Sequence, residues 1–344
     1  MNAAPADLRR WLTARLVALC AAETTSGHED VGLPVLRELL RELGAVVVEQ
    51  PVAEGRTNVL ALWGRPRVLF STHLDTVPPY FLPRIEGDVL LGRGTCDAKG
   101  QIVAQLAAVK TLLDEGREGL AWLGVVGEET DSAGAKAALG LAGHLLELKV
   151  LINGEPTDLK LATGQRGAQQ VCLHCEGRAA HSGSPELGHN ATWPLLDWLQ
   201  RLRELPRPVD GQLGPELWNL GLLQAGEAMN SVPAQAEAQL MARTVPGSTF
   251  LDDVRRLAPP EGSVDLRLDE PADLYPPVPG FQQAPMPFGS DAPALRALVP
   301  DRMVVLAGPG SITVAHALDE RLALSELEAG AELNRRLALH FLGD

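Results

Sequence analysis

The sequence predicts an α/β fold, a mostly parallel sheet with helices on both faces, interrupted by a smaller inserted α+β unit. Three observations lead there. Helical periodicities alternate with short, continuous apolar runs, the mark of strands buried on both faces. Between about Gly167 and Asp269 the element order changes to β-α-β-β-α-β. At 344 residues the chain also exceeds what one hydrophobic core usually serves.

Each element has its own signal. Leu8, Leu12, Leu16 and Leu19 recur at helical spacing and predict a helix over about 7–22, within an amphipathic, Arg-containing stretch from Met1 to Arg15. A second helix is expected over about 29–43, then strands at Val46–Gln50, Asn58–Trp63 and Val68–Thr72. A helix at about 99–115 precedes the apolar strand Ala121–Val126, a helix near 133–142 and the strand Leu148–Ile152. The next segment reads strand (Ala168–Glu176), helix (about 190–204), strands (Trp218–Ala225, Gln235–Arg243), helix (about 248–257) and strand (Ser263–Leu268). That is the ferredoxin-like order. The Pro-rich Tyr275–Gly280 is the return linker; a helix near 291–298, the strand Met303–Leu306 and a helix near 325–342 complete the host domain. The expected domains are therefore 1–166 with 272–344, and 167–271.

Composition excludes several functions. A formal net charge of −14 argues against a nucleic-acid or anionic-membrane partner. The N-terminal stretch lacks a signal peptide's apolar core, and no apolar run approaches the ~18 residues of a membrane span. A cytoplasmic protein is expected. Four cysteines do not suggest a disulfide scaffold in a chain this long. Cys172-Leu-His-Cys175 has zinc-knuckle spacing, but on a strand the two thiols point to opposite faces, which favours structural cysteines.

In open α/β sheets, ligands bind beyond the carboxyl ends of the strands. Val68–Thr72 is followed by His73 and Asp75, Ala121–Val126 by Glu128 and Glu129, and Leu148–Ile152 by Glu155. The strand ending at Leu306 leads through Gly308-Pro-Gly310 to His316, and Asp97 lies just before a helix. Singly, these residues have ordinary readings: a helix-start acidic pair, an N-cap, a turn residue, a surface histidine. At successive strand ends of one sheet they form a site. Clustered carboxylates repel and are costly to desolvate, and few Lys or Arg accompany them, so bound metal is the simplest compensator. Imidazole and carboxylate donors with open positions suit catalytic zinc, with cobalt or manganese as substitutes.

The blocks Ser71–Pro78, Gly92–Gly100, Gly127–Thr130 and Gly154–Pro156 resemble the signatures of the dizinc aminoacylase/carboxypeptidase-like family. Ala180–Gly183, Gly188–Asn190, Asn230–Pro233 and Arg243–Gly247 resemble its lid. Within the family, Gly154–Thr157, Pro276–Phe281, Gly308–Ile312, Ala315-His316 and Asp319-Glu320 look most like acetylornithine deacetylases of arginine biosynthesis, although Asp291 stands where those have Glu. The resemblance implies a zinc α/β domain with an inserted lid and dimerisation domain, two Zn2+ ions, a homodimer and a small N-acyl amino acid as substrate. It implies that His73, Asp97 and Glu155 hold one ion, and Asp97, Glu129 and His316 the other. Asp75 would orient His73, Glu128 would be the general base, and His181 would reach the substrate from the lid. Arg243 and Asn230 would hold the substrate's carboxylate end, and the Gly308–Gly310 turn would offer it backbone N–H groups. Sibling activities (succinyl-diaminopimelate desuccinylase, carrier-protein-lysine hydrolase, dipeptidase) would share the metal site. A non-catalytic binding protein of this fold should have lost ligands or the base, and here every position is filled. Neither GxGxxG nor GxxxxGK[ST] is present, which argues against a nucleotide-binding α/β protein.

Overall fold

The computed structural model describes residues 5–301 and 303–343; the expectation of an amphipathic stretch from Met1 falls, for residues 1–4, outside the described residues. The chain divides into two compact units. One comprises the chain up to Thr163, Tyr275–Ala284 and the chain from Ser290 onward; the other is Gly164–Leu274 with Pro285–Gly289.

The host unit is built on a six-stranded sheet ordered Val46–Ala53, Arg56–Trp63, Leu120–Val125, Val68–His73, Val150–Asn153, Val304–Leu306. The last four strands pair in parallel, and Arg56–Trp63 runs against both of its neighbours. Continuous apolar runs are needed because both faces are covered. Phe70, Trp122 and Ile152 join one buried cluster with the helices Pro5–Cys20, Lys99–Asp114 and Leu324–Leu342. Their strand neighbours Leu69, Leu123 and Leu151 point to the opposite face and are equally buried. Trp122 can lie in this core because its indole N–H donates to Gln105 Oε1 at 2.9 Å. Among the described residues no helix is long and apolar enough to cross a membrane.

The inserted unit is a four-stranded antiparallel sheet ordered Leu217–Ala225, Gln235–Thr244, Gly167–Glu176, Gly262–Glu270. Helices Thr192–Glu204 and Phe250–Arg256 cover one face through Leu173, Trp198 and Phe250. The edge strand Leu217–Ala225 exposes Leu217, Leu220, Leu222 and Leu223.

The predicted helix over 29–43 is split into a 3-10 turn, Glu29–Gly32, and an α-helix, Leu33–Glu42. Pro34 in the first turn of the second piece suits a fresh helix start, having no N–H to place. The helix expected near 133–142 likewise relaxes into 3-10 turns after Ala138. A small sheet of Arg84–Glu86, Val89–Leu91 and Arg321–Ala323 was not foreseen, since three-residue strands carry no readable alternation.

Candidate metal centre

Four strand ends and one helix start converge on the site. His73 closes the strand Val68–His73, and its ring is held on both sides. Nδ1 lies 2.9 Å from the backbone oxygen of Asp75, and Nε2 lies 2.9 Å from Asp97 Oδ1. His316 Nε2 lies 3.4 Å from Asp97 Oδ2 and 3.0 Å from Glu129 Oε1. Asp97 therefore stands between two imidazoles, one oxygen to each. His73, Asp97 and Glu129 present donor atoms within 4.8 Å of one another.

Asp75 organises the next layer. Its Oδ1 accepts the N–H groups of Gly127 (3.0 Å) and Glu128 (3.2 Å), and its Oδ2 accepts those of Glu129 (3.2 Å) and the Ser26 hydroxyl (2.8 Å). One carboxylate so fixes the loop carrying Glu128 and Glu129 while sitting 3.5 Å from His73 Nδ1. Burial opposes its charge, but these donors, His73 first, hold its carboxyl below the usual range.

The remaining carboxylates are poorly compensated by protein alone. Burial, then the neighbouring charges of Glu155, Asp291 and Glu129, push Glu128 well above the usual carboxylate range despite the pull of His73. Glu155 is raised likewise, first by burial and then by Asp97, Glu129 and Asp291. Its Oε1 is shielded from solvent and makes no hydrogen bond. An orphaned buried carboxylate oxygen beside a ring of His and Asp is what a cation would satisfy. The donor set, two imidazoles and three carboxylates, fits a pair of divalent ions.

Hydrogen bonds to Asp97 and Glu129 raise His316 to about 10, and His73 is raised well above its ordinary value, bonds to Asp75 and Asp97 outweighing burial. With its pKa at about 10, His316 carries a proton at neutral pH, whereas an ion takes the neutral ring, so loading must expel a proton. The expected result is proton release on metal titration near pH 7, and affinity that rises with pH until His316 is neutral near 10. Calorimetry in buffers of different ionisation enthalpy measures it; uptake without proton release would contradict this protonation state.

An ion pair buried beneath the site was missed in the sequence. Arg93 and Glu320 are both fully buried, with Nη1 2.6 Å from Oε2. Glu320 Oε1 accepts the N–H groups of Cys96 and Asp97, each at 3.0 Å, while Arg93 also donates to the carbonyls of Pro79 and His316. The pair ties the Asp97 loop to the His316 loop. The only sequence signal was an arginine inside the Gly92–Gly100 block and a glutamate near His316. Arg56 does similar work at the Glu128 loop, bonding Asp131 through both terminal nitrogens and reaching Glu29.

The structure corrects the expectation for Gly308. Its N–H already donates to the Thr157 hydroxyl at 2.9 Å, so it has none to offer a substrate. Gly308 is required for close approach instead, since a Cβ there would meet Gln101 Oε1 at 1.9 Å. Gly310 has φ +81°, and a Cβ on it would meet Cys96 Sγ at 2.6 Å.

His181, Asn230 and Arg243 lie in the inserted unit. His181 is exposed, bridges to Ser231, and the next N–H, of Ser182, donates to the Asn230 carbonyl at 3.0 Å. Arg243 is not brought to them. It sits near the far end of the strand Gln235–Thr244, and the eight steps from Gln235 to Arg243 span roughly 26 Å of extended chain.

The sequence pattern that defines peptidase family M20/M25/M40 matches residues 69–340. A probable carboxypeptidase of Aspergillus clavatus is 35% identical over 354 residues, covering 90% of this chain and 78% of the relative. Among solved structures, aminopeptidase PepT of Bacillus cereus superposes with a TM-score of 0.81 at 18% identity, covering 97% and 99% of the two chains. A dinuclear metal-binding peptidase of family M20 from Bacillus subtilis gives a TM-score of 0.74 at 16% identity, covering 97% and 98%. At those identities the superpositions speak for the fold.

Proposed function

The chain belongs to peptidase family M20/M25/M40, a family of metal-dependent hydrolases, and we propose that it is a two-zinc peptidase of carboxypeptidase type, cleaving the amide before a free carboxyl-terminal amino acid. The observation that carries this reading is the ring His73–Asp97–His316–Glu129 with the unpartnered Glu155 oxygen beside it. Names of relatives favour a peptide bond: the Aspergillus clavatus protein is a probable carboxypeptidase, and the Bacillus subtilis structure is a dinuclear peptidase.

His73, Asp97 and Glu155 would hold one ion, and Asp97, Glu129 and His316 the other. Ions bound there would supply an acidified water and polarise the amide carbonyl. Glu128, held by its backbone to Asp75 but outside the ligand ring, takes the proton of the attacking water. The same carboxyl then passes it to the departing amine. His181 would donate a hydrogen bond to the oxyanion from the partner copy of the homodimer proposed below.

Deacylation of N-acetylornithine is the second reading, favoured by Gly154–Thr157 and Gly308–Ile312. The two separate in one experiment. Release of amine is followed from dipeptides, amino-blocked dipeptides, N-acetylornithine and succinyl-diaminopimelate with zinc or cobalt present. Selective turnover of the blocked dipeptides supports the first reading; turnover of N-acetylornithine alone replaces it with the second, and no turnover of any of them defeats both.

We also propose a homodimer through the edge strand Leu217–Ala225. Its exposed leucines suit strand-to-strand pairing between copies. The distance between Asn230 and Arg243 favours it too, because one small substrate can meet both only if they come from different copies. Leu222→Arg is expected to shift the protein to monomers in sedimentation and to abolish most activity with metal content unchanged. Mixing His181→Ala with Glu128→Gln chains should recover a measurable fraction of activity. No recovery after proven subunit exchange would rule out action across subunits.

A further inference from the structure

We propose that the helix-free face of the inserted unit's sheet binds one zinc-class divalent cation through Cys172, His174 and Glu237, separate from the centre above. Register puts the three together. Glu237 pairs directly with His174 across two strands, Cys172 lies two residues before His174, and Asp265 on the next strand pairs with Cys172. Side chains two apart share a face. Cys175, the other half of the Cys-x-x-Cys spacing, belongs to the opposite, helix-covered core. The grouping is therefore not the zinc knuckle that the spacing suggests.

The donors are already close. A thiol, an imidazole nitrogen and a carboxylate oxygen lie within 4.8 Å of one another. Zinc bonds of about 2.0–2.3 Å need donors roughly 3.3–3.8 Å apart, so small side-chain rotations close the site. His174 Nδ1 is 3.6 Å from Glu237 Oε2, while Gln239 holds the other Glu237 oxygen at 2.7 Å and leaves Oε2 facing the ring. His174 Nε2 is shielded from water, makes no hydrogen bond, and lies 3.7 Å from Asp265 Oδ2. With Nδ1 on the metal, Nε2–H points to Asp265, the carboxylate–histidine–metal arrangement that orients zinc ligands. Cys172 is only 2% exposed. Its proton leaves to solvent as the sulfur–metal bond forms, and a thiolate in the set selects zinc, cobalt or nickel over magnesium and calcium. Arg267, bonded to Asp265 at 3.1 Å, brings a single positive charge near, and the carboxylates of Glu237 and Asp265 outweigh it.

Cobalt loading tests this without confusion with the other centre, whose five candidate ligands are all nitrogen or oxygen donors. The whole protein titrated with Co2+ should show a third equivalent per chain with near-ultraviolet sulfur-to-cobalt charge-transfer absorption. Cys172→Ser and His174→Ala should each lose that equivalent and that absorption while keeping peptidase turnover within about twofold. His174 is partly exposed, so its variant is expected to fold. Absence of the absorption in folded protein, or its survival in His174→Ala, overturns the proposal.

Discussion

Glu128→Gln is expected to lower kcat by roughly 10²–10⁴, the usual contribution of a general base, with metal content and KM little changed. The magnitude follows from where Glu128 sits. Its backbone N–H is fixed by Asp75, so the loop does not depend on its carboxyl. Burial first, and then the charges of Glu155, Asp291 and Glu129, outweigh the pull of His73 and raise the carboxyl's affinity for a proton above that of an ordinary glutamate. Glutamine keeps the shape and removes the base. Purified variant and parent are compared by kcat and by metals per chain. A variant retaining more than about a tenth of the parent's kcat would take the proton-transfer role away from Glu128.

Glu320→Ala is expected to be the most destabilising single change near the site, at about 3–5 kcal/mol, because it strands the fully buried Arg93 guanidinium. It also releases the N–H groups of Cys96 and Asp97 that Glu320 now accepts. In thermal denaturation of the metal-free protein the midpoint should fall by roughly 5–15 °C. The double variant Arg93→Met with Glu320→Leu should recover part of that loss, since removing both charges leaves neither uncompensated. The double variant still lacks the ties to the Asp97 and His316 loops, so its metal affinity should stay weak even where its stability returns. A midpoint for Glu320→Ala within 2 °C of the parent would show that the pair is solvated and not a structural tie.

The fold was legible because strand burial on two faces writes continuous apolar runs. Val68–His73 and Leu120–Val125 are buried at every position and were visible as such. The inserted unit was legible for the opposite reason: Gln235–Thr244 alternates buried with half-buried or exposed residues along its length, the period of a one-sided sheet. The three-residue strands around Val89–Leu91 were not legible, because one pairing is a hairpin with arms too short to show alternation and the other joins Arg321–Ala323 from more than 200 residues away. At the site, residues after strand ends could be read from position alone, and His73, Asp97, Glu129 and His316 do meet. What could not be read was which polar groups are already spent. Gly308 reads as an available donor in the sequence, yet in the fold its N–H is taken by the Thr157 hydroxyl. Arg93 and Glu320, 227 residues apart, pair only through the folded chain.

The most direct measurement is metal stoichiometry by elemental analysis, made in a Cys172→Ser background so that only the His73–His316 centre is counted. Two equivalents per chain are predicted, removed together with activity by chelation and restored with it. Because Asp97 faces both imidazoles, Asp97→Ala should lose both ions and not one. A folded, active protein holding fewer than one ion per chain, or an Asp97→Ala variant that keeps two, would contradict the shared-carboxylate centre on which the functional reading depends.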